Sequence, residues 1–197
     1  MTAVGWNVPA LSLEYSTDDG ATWSDFIVGT TTVTLTNIGD RVSIRAKTTN
    51  QKTAREFNNA NRFRFTGDLA ITGSPYSLLN KDWLTAQWSL SDFALCSLFK
   101  ESGGAFDIEG MSPLDKDCVH ECYNGMFAGS GIYGQVPKNL LPSTNLATEC
   151  YGGMFGQSHI TNAPDLPATT PASGCYYGML YEAWSLEEGP HICLTSM

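Results

Sequence analysis

Six cysteines, three histidines and twenty acidic side chains are the groups through which this 197-residue chain could do chemistry, and their spacing limits what that chemistry can be. Cys96, Cys118, Cys122, Cys150, Cys175 and Cys193 include no Cys-x-x-Cys pair, so neither zinc-finger spacing nor a thioredoxin-type dithiol is supported. Cys118-Val119-His120 is the one close thiol–imidazole pair. A cysteine nucleophile needs its base in hydrogen-bonding geometry and an electropositive setting, and this segment is acidic. Asp165, Glu187 and Glu188 could share a face, but a carboxylate pair for glycoside cleavage needs a cleft between them; a solvated acidic surface is the reading preferred. Asn124-Gly125, Gly152-Gly153 and the glycines at 129–134 follow no strand signal that would make them a phosphate loop, and they read as bends. The expectation is a non-enzymatic chain with no catalytic residue, no cofactor and no metal.

The charge balance narrows the partners. Eleven Lys plus Arg against twenty Asp plus Glu give a net charge of −9, which works against nucleic acid and anionic lipid. The N-terminus lacks a basic leader and no segment has the length and apolarity of a membrane span, so no membrane insertion is expected and the chain reads as soluble and made in the cytosol. Residues 1–68 carry seven acids and seven bases, including all five arginines; residues 69–197 hold the whole net charge, all six cysteines and eight of the nine prolines. That shift divides the chain at about residue 74, into a module at 1–74 and a second region at 75–197. Reduced, buried thiols are preferred over disulfides.

The first region alternates as half-buried strands do: Leu11, Leu13 and Tyr15; Thr31, Val33 and Leu35; Val42, Ile44 and Ala46; Phe63 and Phe65. The polar stretch 48–61 reads as a loop. A small antiparallel sandwich-like module is expected. Ser16-Thr-Asp18-Asp-Gly20-Ala-Thr22-Trp23 resembles the Asp-box hairpin of sialidases and other glycan-processing propellers. One box and scattered arginines do not make a propeller, so the motif is read as a structural hairpin, and a glycan hydrolase is the least favoured function.

The second region repeats. Ala94-Leu95-Cys96-Ser97-Leu98-Phe99, Cys122-Tyr123-Asn124-Gly125-Met126-Phe127, Cys150-Tyr151-Gly152-Gly153-Met154-Phe155 and Cys175-Tyr176-Tyr177-Gly178-Met179-Leu180 start 28, 28 and 25 residues apart. His120, His159 and His191 sit at different offsets in these units, so stacking would not line them up on a metal. Positions four apart place Cys122 with Met126 and Tyr123 with Phe127 on one side of a short helical turn. The predicted repeat core is Leu95, Phe99, Cys122, Tyr123, Met126, Phe127, Cys150, Tyr151, Met154, Phe155, Cys175, Tyr176, Met179 and Leu180. Extended pieces at 105–109, 134–137 and 161–166 would follow the turns, and one helical turn plus one strand per unit makes a solenoid coil.

Cys150-Tyr-Gly-Gly-Met-Phe155, with Ala163-Pro-Asp-Leu-Pro-Ala-Thr-Thr170 and Cys175-Tyr176, resembles the unit of BspA-type leucine-rich repeat proteins. Tyr15 to Trp23, Thr32 to Val42 and Phe65 to Gly73 are similar to the β module that precedes such repeats in proteins of gut bacteria and their phages. The family's second cysteine is replaced by Ser130, Ser158 and Ala183. The resemblance implies an α+β fold, a small antiparallel β domain followed by a leucine-rich-repeat-like solenoid of about four units. It also implies a structural and binding role as a virion component (head fibre, decoration or tail-associated protein), with a protein or glycan surface and other virion proteins as partners and a homo-oligomer such as a trimer as the assembly. A fragment of a bacterial cell-surface adhesin is the alternative. The last unit, through Trp184 and Pro190, reads either as a terminal cap or as the end of a piece cut from something longer. Tyr133, Tyr181 and Trp184 escape the repeat phase; contact aromatics and cap residues are the two readings left open for them.

Overall fold

A computed structural model of the chain describes residues 1–5, 8–85 and 87–193. The first part forms two antiparallel three-stranded sheets. In one, β1 (Thr2–Val4) pairs with β6 (Asn59–Arg62), which also pairs with β5 (Ala54–Glu56). In the other, β2 (Leu13–Ser16) lies between β3 (Ser24–Phe26) and β4 (Ser43–Ala46). β4 holds the expected alternation; in β2, Leu13 and Tyr15 pack into the core, but Ser16 on the opposite face is buried too. Residues 31–35 alternate between half-buried and exposed without pairing into a strand, and the stretch expected as a loop, 48–61, holds β5 and all of β6 but its last residue.

The α+β expectation, with its leucine-rich-repeat-like solenoid, is overturned. The described chain is nearly all-β, and its helix is confined to the 3-10 turn Pro75–Leu78. A parallel sheet of very short strands runs in the order β10-β9-β8-β7: His159–Ile160, Gly131–Gly134 and Ala105–Asp107 from the second part, and Leu69–Ala70 from the end of the first. β9 begins three residues before the extended piece expected at 134–137, and β10 ends before that expected at 161–166.

The Cys-Tyr…Met-Phe segments are not helical turns, for a reason visible in their dihedrals. Every fourth residue is left-handed: Phe93, Ser97 and Glu101; Glu121, Gly125 and Gly129; Glu149, Gly153 and Gln157; Gly174, Gly178 and Glu182. In the first three segments the amides alternate in what they bond. Cys122, Asn124, Met126 and Ala128 donate to the carbonyl three residues back, while Tyr123, Gly125, Phe127 and Gly129 donate to Cys150, Gly152, Met154 and Gly156 of the next segment, at 2.7 to 3.0 Å. An α-helix would need i→i−4 bonds at each of these positions. The result is a row of tight turns, two residues in and two out, hydrogen-bonded to the next row.

The inward positions stack. Phe99, Phe127 and Phe155 are 5.4 and 5.5 Å apart and within 6° of parallel. Tyr123, Tyr151 and Tyr176 form a second column at 5.5 and 6.1 Å. The Met126, Met154 and Met179 positions and the Cys122, Cys150 and Cys175 positions fill the rest of the core. Offset aromatic contacts of this kind contribute about 0.5–1.5 kcal/mol each beyond their area. Phe63 continues the phenylalanine column onto Phe99 at 5.4 Å, so one apolar cluster runs from Met1 to Met179.

Candidate contact surface

The stack of turn rows has two unlike ends. At the first row, the β module covers the outward carbonyls: Thr53 N–H donates to Ala94 O (2.8 Å), Phe63 N–H to Leu98 O (2.9 Å), and the Arg64 guanidinium to Lys100 O (3.0 Å). Arg62, nearly buried, pairs with Glu101 at 3.0 Å. Phe57 lies across the row's outer side, its carbonyl accepting from Ser97 Oγ at 2.8 Å and its ring beneath the Lys100 ammonium at 3.7 Å. Small side chains make this approach possible: Ala54 and Ala60 are fully buried against Cys96.

At the fourth row nothing equivalent covers the surface among the described residues. Tyr177 is 82% exposed, Tyr181 62% and Trp184 69%. These three occupy or follow outward positions that hold Asn124 and Gly152, or Ala128 and Gly156, in the preceding rows. Tyr176 and Leu180, both expected as core, are half-buried because no fifth row among the described residues lies on them; the other expected core residues are buried. Tyr133, on β9 opposite His159 of β10, is also exposed. Of the three aromatics singled out by sequence, Tyr181 and Trp184 thus lie on the last row and Tyr133 on the strand face. Tyr177 was missed, because its neighbour Tyr176 filled the repeat pattern; its position beside Gly178 was the available signal.

The groups that could have done chemistry are placed as follows. Asp18 is spent inside the hairpin: it accepts from Thr22 N–H (2.9 Å), Thr22 Oγ1 (2.6 Å) and Ser16 Oγ (2.6 Å), and these bonds, Ser16's foremost, hold its carboxyl down at about 2. Trp23 closes the hairpin by donating from Nε1 to Gly20 O at 3.0 Å, and the Arg45 guanidinium covers its ring at 3.6 Å while pairing with Glu14. His120 lies against Phe93 and 3.2 Å from its neighbour Glu121. No group of three or more His, Cys, Asp or Glu side chains among the described residues is disposed to hold a metal ion.

Cys118 faces Cys122 and Cys150 rather than His120, and all six cysteines are free thiols. The Cys96 thiol is pushed up to about 12 by burial. Cys122 is raised first by burial, Cys150 first by its hydrogen bond to Cys118 and then by burial, while Cys118 is lowered by the thiols of Cys122 and Cys150 beside it. A cleft of 220 Å³ between Glu109, Gln135 to Lys138, Asn162 and Glu188 is crossed by the Lys138–Glu188 ion pair at 2.8 Å. Among the described residues no helix is long and apolar enough to cross a membrane. No family model, no curated protein and no solved structure matches the chain.

Proposed function

We propose that the chain is a non-enzymatic structural and binding module, a virion component of the head-fibre, decoration or tail-associated kind that presents a recognition surface to protein or glycan. The observation that carries the reading is the exposure of Tyr177, Tyr181 and Trp184 together on the terminal row of a cross-braced stack. Rigid aromatic side chains on an ordered frame give large contact area at small entropic cost, which is how protein and glycan surfaces are bound. The virion setting rests on the sequence resemblance described above. The engagement of Asp18 by its own hairpin supports a structural role for the Asp-box segment.

The test is a combined protein and glycan array, read for binding and for turnover, with the wild-type chain and a Y177A/Y181A/W184A variant. Binding that falls at least tenfold in the variant is the expected result. Hydrolysis of sialosides or common glycosides above the buffer rate would overturn the reading. Detection of the polypeptide in purified particles by mass spectrometry is the expected result for the virion setting; an upstream export signal in the gene would replace it with the adhesin alternative.

A further inference from the structure

The open end of the stack differs from the covered end in hydrogen-bond polarity as well as in exposure. In the first three rows, the amides at alternate positions point to the following row and find carbonyls there; Tyr151, Gly153, Phe155 and Gln157 donate to Cys175, Tyr177, Met179 and Tyr181. In the fourth row Tyr177, Met179, Tyr181 and Ala183 donate within their own turns. The N–H groups of Gly178, Leu180 and Glu182, which stand where those of Gly153, Phe155 and Gln157 stand one row earlier, meet no acceptor among the described residues. The carbonyls of residues 174–181 are all used, by the row's own turns or by the third row. The edge therefore presents donors alone, with the half-exposed faces of Tyr176 and Leu180 beside them.

That polarity selects the occupant. A second copy meeting the same edge would set N–H against N–H, which pairs nothing. A second copy approaching with its other end would find its acceptor row already taken by Thr53, Phe63 and Arg64. The complement is a row of backbone carbonyls flanked by an aromatic and an apolar side chain four residues apart, the face that Cys175 to Tyr181 turn toward the third row. The geometry points to a docking edge on the fourth row for a polypeptide segment folded into the same alternating turns, bound carbonyl-first. This rests on the binding-module reading and names the partner's chemistry for one part of its surface.

The probe is a synthetic peptide copying residues 147–160, titrated under reducing conditions into isotope-labelled full chain, with a scrambled peptide as control. The same segment is also tethered behind residue 197 through a Gly/Ser linker, where the effective concentration is about millimolar and the ordering cost of a free peptide is offset. The expected result is a saturable downfield shift of the Gly178, Leu180 and Glu182 amides, with the Cys122 to Phe127 amides unmoved, and loss of the response in Leu180→Asp while the remaining spectrum stays native. Unmoved amides in both formats would overturn the proposal. So would a discrete dimer of the untreated chain in sedimentation that Leu180→Asp dissolves, because the edge would then accept its own copy. Array binding that depends on Tyr181 and Trp184 with unmoved row amides would sink the edge alone, whereas glycoside turnover would sink the binding-module reading whatever the amides do.

Discussion

Replacing Gly153 by alanine separates the turn-row geometry from a helical one by the sign of a stability change. Gly153 has φ +58, and a Cβ built on it meets no atom within 4 Å, so the substitution acts on the backbone alone. In a helix interior, Gly→Ala stabilises by about 0.5–1 kcal/mol. In the left-handed region an L side chain costs about 1–2 kcal/mol, of which about 0.4–1 is returned because alanine restricts the unfolded chain. The net expectation is a loss of about 1 kcal/mol. With a urea m value of about 2 kcal/mol/M the unfolding midpoint falls by about 0.5 M at unchanged slope. Gly125→Ala provides the internal comparison: its φ is also +58, but its Cβ would come within 2.3 Å of Phe57 Cε2. Displacing that ring from Lys100 adds about 1–3 kcal/mol, the usual cost of overpacking. Urea titrations of the three proteins, followed by far-ultraviolet circular dichroism and tryptophan fluorescence, decide the matter. A midpoint that rises in Gly153→Ala, or equal losses at the two sites, would refute the alternating-turn description.

Phe127→Ala, which empties the middle of the phenylalanine column, should lower stability by about 3–5 kcal/mol, while Tyr177→Ala should stay within about 0.5 kcal/mol; thermal or urea melts compare them. Alkylation of the native protein followed by peptide mapping should label the half-exposed Cys193 first, leaving the buried Cys96, Cys118, Cys122, Cys150 and Cys175 for the unfolded chain; early labelling of Cys122 would contradict the core packing. The carboxyl carbon of Asp18 should titrate with a midpoint at about 2. Because its folded value is depressed, the stability it lends is present above the ordinary carboxylate range and lost as pH falls toward that midpoint. In Thr22→Ala the midpoint should move back up.

The inward and outward positions of the turn rows were legible because they follow from spacing alone: positions four apart share a face whether the backbone turns as a helix or as successive tight turns. Over six residues the two periods, 3.6 and 4, do not diverge enough to separate them. The separating signal was the left-handed column, written openly by Gly125, Gly129, Gly153, Gly174 and Gly178 but hidden elsewhere by Glu121, Glu149, Gln157 and Glu182, which take positive φ despite their side chains. β5 and β6 were unreadable for another reason. Their polar letters reflect a sheet that docks on the first row through backbone donors and two alanines rather than through large apolar side chains. The 31–35 stretch shows the reverse failure, since alternation reports a half-buried face but not the presence of a partner strand. On the exposed fourth row, Tyr181 and Trp184 stood out in the sequence because they break the repeat, and Tyr177 was lost because the letter beside it completes one.

The row-to-row bonds of Tyr123, Gly125, Phe127 and Gly129 run side by side along the stacking direction. A tensile load applied along that direction falls on all four at once, together with the adjoining strand pair, so no single bond can be peeled open first. Bending the stack sideways would instead break them one after another. An element built this way would resist axial pulling better than lateral deflection.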